Sequence, residues 1–528
     1  MKISSVHPRK TDGFMIRVII VSLPARSFIM SDCQTTIQTN KDTVSKKCKI
    51  LVLSLTVLMS FFQVRALDPD FYFLYSLGDY IVHHGFPFTD VLSMHSSMKI
   101  VVQQWLSSVI FYYVYSFCGK YGVIALIYIC NTAVCYITYR LIALISKNDF
   151  VALLATALIN YFTFDYFMVT RPQIFTYTIL LIEFYLLEKH VQTKKSKYLY
   201  LLPVLSLLLI NLHAAMWLMI LIIMLPYIIS AVPVHIESFK REAKGDLVTL
   251  LVIAALSGVA GLLNPYGIDS MLYLFSSYGH PELVNISEME PTSLTGLEGK
   301  IFFISFAVVC LILCFIKKRM LSIRFFLMFA GTLLIGLMQY KGIPYFLMFG
   351  IPAFTYMLSD TSIKDLTKPF KKIITKRVKI LFFILLGICI LYLCENKFIV
   401  TRTYAQEREA YFYYLGGAVD VLDSYEEPKI VYAGFNDGQY LEFRGYHPYL
   451  DGRAEIFIAS NNKQYDYFTE SLCIVYGKYY YRDFVDKYGF NYLIVNEDYD
   501  SYLFLSLLYD EDFELVYSEY GVNLFVRK

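Results

Sequence analysis

The sequence predicts a polytopic α-helical membrane protein, with about eleven spans, that carries a small extracytoplasmic α/β domain at its C-terminal end. Three observations predict it. Of 528 residues, 57% are hydrophobic and only 17% charged, against about 25% charged in an ordinary soluble domain. The apolar residues gather in blocks of about 20, the length that crosses a bilayer. From Glu395 onward the text turns mixed and polar, with short β-type runs around a helix. A water-soluble enzyme is excluded. With 26 Gly and 16 Pro over the whole length, so is a disordered chain. A net charge of +3 with no basic stripe excludes a nucleic-acid partner.

Residues 1–48 read as a polar lead. Within it, 1–29 lacks a long apolar core beside a cleavage site, so it makes a poor signal peptide. The expected true start is Met30. Apolar spans follow near 49–66, 121–145, 150–169, 173–188, 198–212, 215–233, 247–263, 301–316, 325–339, 343–358 and 378–394. The stretch 105–117 is too short to cross: its helix would cover about 20 Å of a core about 30 Å thick. With that stretch lying along the surface and the N-terminus inside, nineteen Lys and Arg fall on inner connections and about four (Lys99, Lys120, Arg171, Lys341) on outer ones. If 105–117 crosses instead, the bias reverses for every later loop, against the positive-inside rule. The expected topology therefore places the membrane domain at 49–394, with outer loops 67–120 and 264–299, and residues 395–528 outside the cell membrane. In that tail, runs at 429–432, 492–495, 513–517 and 522–526 read as strands and 501–508 as a helix. Cys130, Cys135, Cys310, Cys314 and Cys389 lie in apolar spans and read as small hydrophobes, with no metal-type spacing.

With this topology the unusual polar residues collect on the outer side. The first outer loop brings Asp68, Asp70, Asp79, Asp90, His83, His84 and His95, and leads into Trp105. Arg171 follows the third span, His213 the fifth, Glu288 lies in the loop after the seventh, and Lys341 follows the ninth. Each has a plain structural role open to it. Asp68 can cap a helix, Arg171 and Lys341 can anchor span ends, and Glu288 can be solvated. Their common location carries more weight than any member. A loop carboxylate can take a proton from a hydroxyl, while Arg, His and Lys can hold a departing phosphate.

The segments Asp68-Pro69-Asp70, Gly78-Asp79, Gln104-Trp105-Leu106, Arg171-Pro172-Gln173, Asn211-Leu212-His213, Asn264-Pro265-Tyr266-Gly267, Ser287-Glu288 and Asp451-Gly452-Arg453-Ala454-Glu455 carry a resemblance. Their layout resembles the GT-C superfamily of lipid-phosphate-sugar glycosyltransferases, which includes protein O-mannosyltransferases and the lipid A aminoarabinose transferase, and more closely a bacterial branch of it. The resemblance implies an inverting transfer of a sugar from a polyprenyl-phosphate donor to a glycan, lipid or protein acceptor at the outer face. It implies Asp70 as the catalytic carboxylate, with Asp68 second. Arg171, His213 and Lys341 would bind the donor phosphate, and Asp90, His95, Trp105 and Glu288 would serve as substrate-loop residues. Some relatives hold a divalent metal through a loop Asp and a later Glu, so a metal stays open, although no metal role transfers to Glu288. The Trp-Trp-Asp acceptor motif of oligosaccharyltransferases is absent, which argues against sequon glycosylation. Two other readings compete, a flippase for a lipid-linked intermediate and a non-enzymatic scaffold whose outer domain binds the cell envelope. Glu183 is the clearest ionisable group at mid-membrane that a flippase would use. The topology is checked by cysteine accessibility: a thiol placed at 194 should be labelled only from inside, and one at 285 only from outside.

Overall fold

The computed structural model describes Ile50 and residues 53–528 except 55, 58, 59, 62–64, 234–238, 244, 278, 294, 297, 298, 303, 308–320, 361–375 and 427. The polar lead, Met30, Cys310, Cys314 and many of the inner basic residues lie outside the described residues.

Helix α1 (Asp70–His84) starts where Pro69 supplies a preset φ of −52°. Asp70 puts a carboxylate at the positive end of the helix dipole. It stops at Gly85, whose φ of +87° only glycine adopts without strain. Its buried face packs on α2 (Trp105–Ser146) so closely that a Cβ on Gly78 would stand 2.2 Å from the Ser108 carbonyl oxygen. Helix α2 is broken at Gly119, with φ 61° and ψ −163°. The break falls where the sequence divides 105–117 from the span at 121–145.

The apolar body continues through α3 (Asp149–Phe167), α4 (Gln173–Thr193), α5 (Leu202–Leu212), α6 (Leu218–Ala231), α7 (Leu247–Gly261) and α8 (Ile323–Met338), then a helical run closing with α9 (Ile351–Asp360). These helices are apolar on their outer faces too. Helix α7 buries Leu250, Ile253 and Ser257 yet exposes Val248, Leu251, Val252, Leu256 and Val259. Such a face suits lipid rather than water. Among the described residues two stretches, Trp105–Ser146 and Ala214–Ala231, are long and apolar enough to cross a membrane. Val151–Phe164, Ser196–Leu212, Leu247–Gly261 and Ile323–Met338 are shorter. The expected count of about eleven spans is thus finer than helix length alone supports, because 15 helical residues rise only about 22 Å.

Helix α10 (Lys376–Asp423) runs without a stop through residue 395. The change in composition at Glu395 falls inside one helix, not at a linker. Its far end buries Leu415, Ala418, Val419 and Leu422 beside a four-stranded sheet. The strands are β1 (Val431–Ala433), β2 (Tyr492–Asn496), β3 (Phe513–Glu519) and β4 (Val522–Arg527). Their order is β1-β2-β4-β3, with β1 parallel to β2 and the other pairs antiparallel. Strand β2 is buried throughout, as its continuous apolar run requires. The β3–β4 hairpin turns on Tyr520 and Gly521, both with positive φ, the backbone that matches strand twist. Helices α11 (Gly438–Phe443), α12 (Tyr467–Val475), α13 (Tyr481–Tyr488) and α14 (Ser501–Leu508) complete the unit. The four strands and the helix at 501–508 are those read from the sequence.

Helix α11 docks this unit on α1, with Tyr440 and Phe443 set against Tyr72 and Phe443 against Tyr75. A Cβ on Gly438 would lie 1.8 Å from the Leu450 carbonyl oxygen. Gly438→Ala is therefore expected to destabilise the protein by about 2 kcal/mol. Gly331→Ala in α8, where nothing lies within 4 Å, should be neutral or stabilising by about 1 kcal/mol. Thermal unfolding in detergent checks both.

Candidate active site

Five chain segments meet at the guanidinium of Arg171. Asp68 and Asp70 precede and open α1, and Arg171 lies in the turn between α3 and α4. Glu288 sits on a short 3-10 turn, Ser287–Met289, and Lys341 on another, Tyr340–Gly342. Arg408 comes from α10. Backbone contacts fix these placements. The Asp68 N–H donates to Thr170 Oγ1 at 2.8 Å, and the Tyr340 N–H to the Glu290 carbonyl at 2.9 Å. A Cβ on Gly342 would stand 2.1 Å from the Ile335 carbonyl oxygen, so only glycine lets the Lys341 turn close.

Arg171 Nε lies 2.8 Å from Asp68 Oδ1 and 3.2 Å from Asp70 Oδ2, and its Nη1 lies 2.9 Å from Glu288 Oε1. Lys341 Nζ reaches Glu288 Oε2 at 3.0 Å, and Arg408 Nη1 reaches Asp68 Oδ2 at 3.3 Å. The carboxylates diverge in acidity. Burial opposes ionisation of Asp68, but Arg171 and Arg408 outweigh it and hold its carboxyl below the usual range. Glu288 is likewise held down by Arg171 and Lys341 against its burial. Burial pushes Asp70 up to about 7; Arg171 pulls against it, but the charges of Asp68 and Glu288 add to the rise. One carboxylate is thus poised near neutrality beside two that stay ionised.

A cavity of about 430 Å³ opens beside this cluster. Four cations line it, Arg65, Arg171, Lys341 and Arg408, against two carboxylates, Asp68 and Glu288. The remaining wall is largely apolar or aromatic, including Phe167, Tyr177, Tyr345 and Val400. Asp70 is not part of that lining and adjoins it through the Arg171 guanidinium.

The other residues singled out in the sequence lie elsewhere. His213 is buried outside the cavity lining, with Nδ1 2.8 Å from Thr176 Oγ1. Burial, with Lys341 adding to it, pushes the ring down to about 3, so it is neutral and offers a phosphate no charge. Trp105 donates from Nε1 to Asn211 Oδ1 at 2.8 Å and meets Phe86 edge-on, tying the first loop to the turn after α5. Asp90 and His95 face the C-terminal unit. Asp90 accepts from the Ser93 N–H at 2.9 Å and lies 2.8 Å from Arg453 Nη1, within a buried group that includes Asp451 and Glu442. Burial and the Asp451 charge push Glu442 well above the usual range. His95 stacks on Tyr467 at 3.8 Å, and burial pushes it down to about 4.

Sequence reasoning missed Arg65 and Arg408 in the cavity. Arg408 sits in the run Gln406-Glu407-Arg408-Glu409, which reads as the solvated face of a helix. The motif Asp451-Gly452-Arg453 was legible, and its glycine approaches Asp70: a Cβ there would stand 2.9 Å from Asp70 Oδ1.

The donor set as arranged does not fit a divalent ion. Hard oxygens would suit Mg²⁺ or Mn²⁺, but Asp68, Asp70 and Glu288 close on the Arg171 guanidinium, and Lys341 and Arg408 take further oxygens. The position a shared cation would occupy is filled by the chain itself. Among the described residues no His, Cys, Asp and Glu group has a metal-holding arrangement.

No family model and no curated protein matches this sequence. Solved structures do resemble the fold. The oligosaccharyltransferase of Archaeoglobus fulgidus in its apo form aligns with a TM-score of 0.58 at 13% identity, covering 92% of this chain and 75% of that one. The same enzyme tethered to an acceptor peptide containing an NVT sequon gives 0.56 at 12%, with the same coverage. Its complex with an inhibitory peptide and a dolichol-phosphate gives 0.55 at 12%, covering 91% and 74%. The chain therefore shares the fold of that oligosaccharyltransferase.

Arg171→Met would leave three carboxylates facing one another. It is expected to destabilise the protein by about 3–5 kcal/mol at pH 8. The deficit should shrink as pH falls below about 5, where the carboxylates take up protons and their repulsion disappears. Thermal unfolding of the two proteins across pH measures this.

Proposed function

We propose that the protein is a membrane glycosyltransferase that moves a sugar from a polyprenyl-phosphate-linked donor to a hydroxyl of a glycan, lipid or protein acceptor at the outer face, with inversion. One observation carries the reading: a cavity between apolar helices, richer in cations than in carboxylates, adjoins a carboxyl poised near neutral pH. The fold likeness agrees with it, since that oligosaccharyltransferase was solved with an acceptor peptide and, separately, with an inhibitory peptide and a dolichol-phosphate.

The donor phosphate enters the cavity against Arg65, Arg171, Lys341 and Arg408, and its isoprenoid chain follows the apolar wall. The acceptor hydroxyl approaches C1 from the Asp70 side. As the new C–O bond forms, Asp70 takes the hydroxyl proton, and the bond to phosphate breaks with its electron pair going to the phosphate oxygen. The cations stabilise that charge. Asp70 suits the proton transfer better than Asp68, because a base held near the working pH is more effective than one tied to two guanidinium groups. Asp68 holds Arg171 and Arg408 in place. Residues 49–394 form the membrane part in this proposal, with the N-terminus inside and 395–528 outside.

A flippase draws support from Glu183, buried in α4 with neither carboxyl oxygen hydrogen-bonded. The two readings separate cleanly by experiment. Asp70→Asn is expected to lower turnover at least about a hundredfold with donor binding retained, and to leave lipid translocation unchanged. The wild-type rate should rise as pH increases through about 7, where Asp70 loses its proton, and Asp70→Asn should lack that rise. Transfer by Asp70→Asn at the wild-type rate would overturn the assignment.

A further inference from the structure

The turn at Asp451-Gly452-Arg453 is held rigidly against the first outer loop. The Arg453 N–H donates to Asp451 Oδ1 at 2.7 Å, and its guanidinium is buried among Asp451, Asp90 and Glu442. Gly438 backs onto the Leu450 carbonyl, which locks the start of α11 to the same turn. Gln439, the next residue, is 1% exposed, and its side-chain oxygen has no hydrogen-bond partner. A Cβ on Gly452 would stand 2.3 Å from Gln439 Oε1 and 2.9 Å from Asp70 Oδ1. The two oxygens thus converge on one niche that only glycine leaves open.

A buried amide oxygen left without a donor needs explanation. Asp70 supplies it. Its Oδ2 lies on Arg171 Nε, so Oδ1 is the oxygen left to carry a proton. A protonated Oδ1 is a donor, and Gln439 Oε1 is an acceptor bordering the same niche at Gly452.

We propose that Gln439, from the C-terminal domain, is a positioning residue for glycosyl transfer, its amide oxygen receiving a hydrogen bond from Oδ1 of Asp70 in the protonated state and orienting that oxygen towards the acceptor hydroxyl. The inference rests on the reading of Asp70 as the base. The hydroxyl O–H bond breaks, an O–H bond forms at Asp70 Oδ1, and that proton points to Gln439 until it leaves to water. The charged groups facing Asp70 are Asp68 beside it, Arg171 from the α3–α4 turn, Glu288 from the 264–299 loop and Lys341 from the turn after α8. The C-terminal domain presents the neutral Gln439 amide and the Gly452 backbone.

The test uses the full-length protein in lipid nanodiscs and infrared difference spectra against Asp70→Asn, which isolate the carbonyl band of protonated Asp70. In Gln439→Leu that band should move to higher frequency, because its O–H has lost its acceptor. An unmoved band would overturn the proposal. Gln439→Met, unbranched and of similar length, serves equally if the Leu variant does not fold. With an undecaprenyl-phosphate-linked hexose as donor, kcat is expected to fall about tenfold with the donor KM unchanged; an unchanged kcat would also overturn it. Wild-type protein that transfers no sugar from any such donor would remove the enzyme reading, while the band shift would still decide the contact.

Discussion

The guanidinium of Arg171 is the point on which the arrangement around the cavity depends. Three carboxylates from two separate stretches of chain close on it, both far from it in sequence. Removing charges from water costs several kcal/mol per ion unless partners compensate. The compensation here is shared, since Asp68 also has Arg408 and Glu288 also has Lys341. The first loop, the loop at 264–299, the turn at Tyr340–Gly342 and helix α10 are therefore fixed relative to one another by one network. Double mutants within it should not be additive.

The same network divides labour among chemically identical groups. Asp68 and Asp70 are two residues apart, yet one is bound by two guanidinium groups and the other by one. The second partner helps lower Asp68, while the charges of Asp68 and Glu288 add to burial in raising Asp70. That is how adjacent carboxylates come to differ in acidity without any difference in chemistry. Arg453 repeats the arrangement with Asp90, Asp451 and Glu442, where burial and the Asp451 charge push Glu442 up against the pull of Arg453. The first cluster adjoins a cavity and the second joins the C-terminal domain to the first loop.

What could be read in the sequence follows from what is local. Strand 492–495 is a continuous apolar run and 522–526 is apolar but for Asn523, both bounded by turn residues, and the break at Gly119 follows a polar-flanked stretch too short to cross. Both survive because pattern and backbone conformation decide them. The convergence of Asp68, Asp70, Arg171, Glu288 and Lys341 was legible only through the expected topology, which put all five on one side. His213, Asp90, His95 and Trp105 satisfied the same rule and yet lie outside the cavity lining. A side of the membrane is a much coarser address than a cavity. Arg408 was illegible because a charged run on an exposed helix looks the same whether or not one member turns inward.

That α10 passes unbroken from the apolar region into the C-terminal domain explains the last piece of the arrangement. A flexible linker at residue 395 would let the domain move away from α1. A continuous helix instead carries Arg408 to the cavity wall and continues to a buried seam beside the sheet. The domain is then held at three places: the helix itself, the aromatic contact of Tyr440 and Phe443 with α1, and the Arg453 group on Asp90. Three attachments distributed around one turn leave Gly452 little freedom to retreat from Asp70. In the proposed reaction, a carboxyl with Arg171 fixed on the cavity side and Gly452 fixed on the opposite domain needs little reorganisation as it accepts a proton, the condition under which fixed dipoles contribute most.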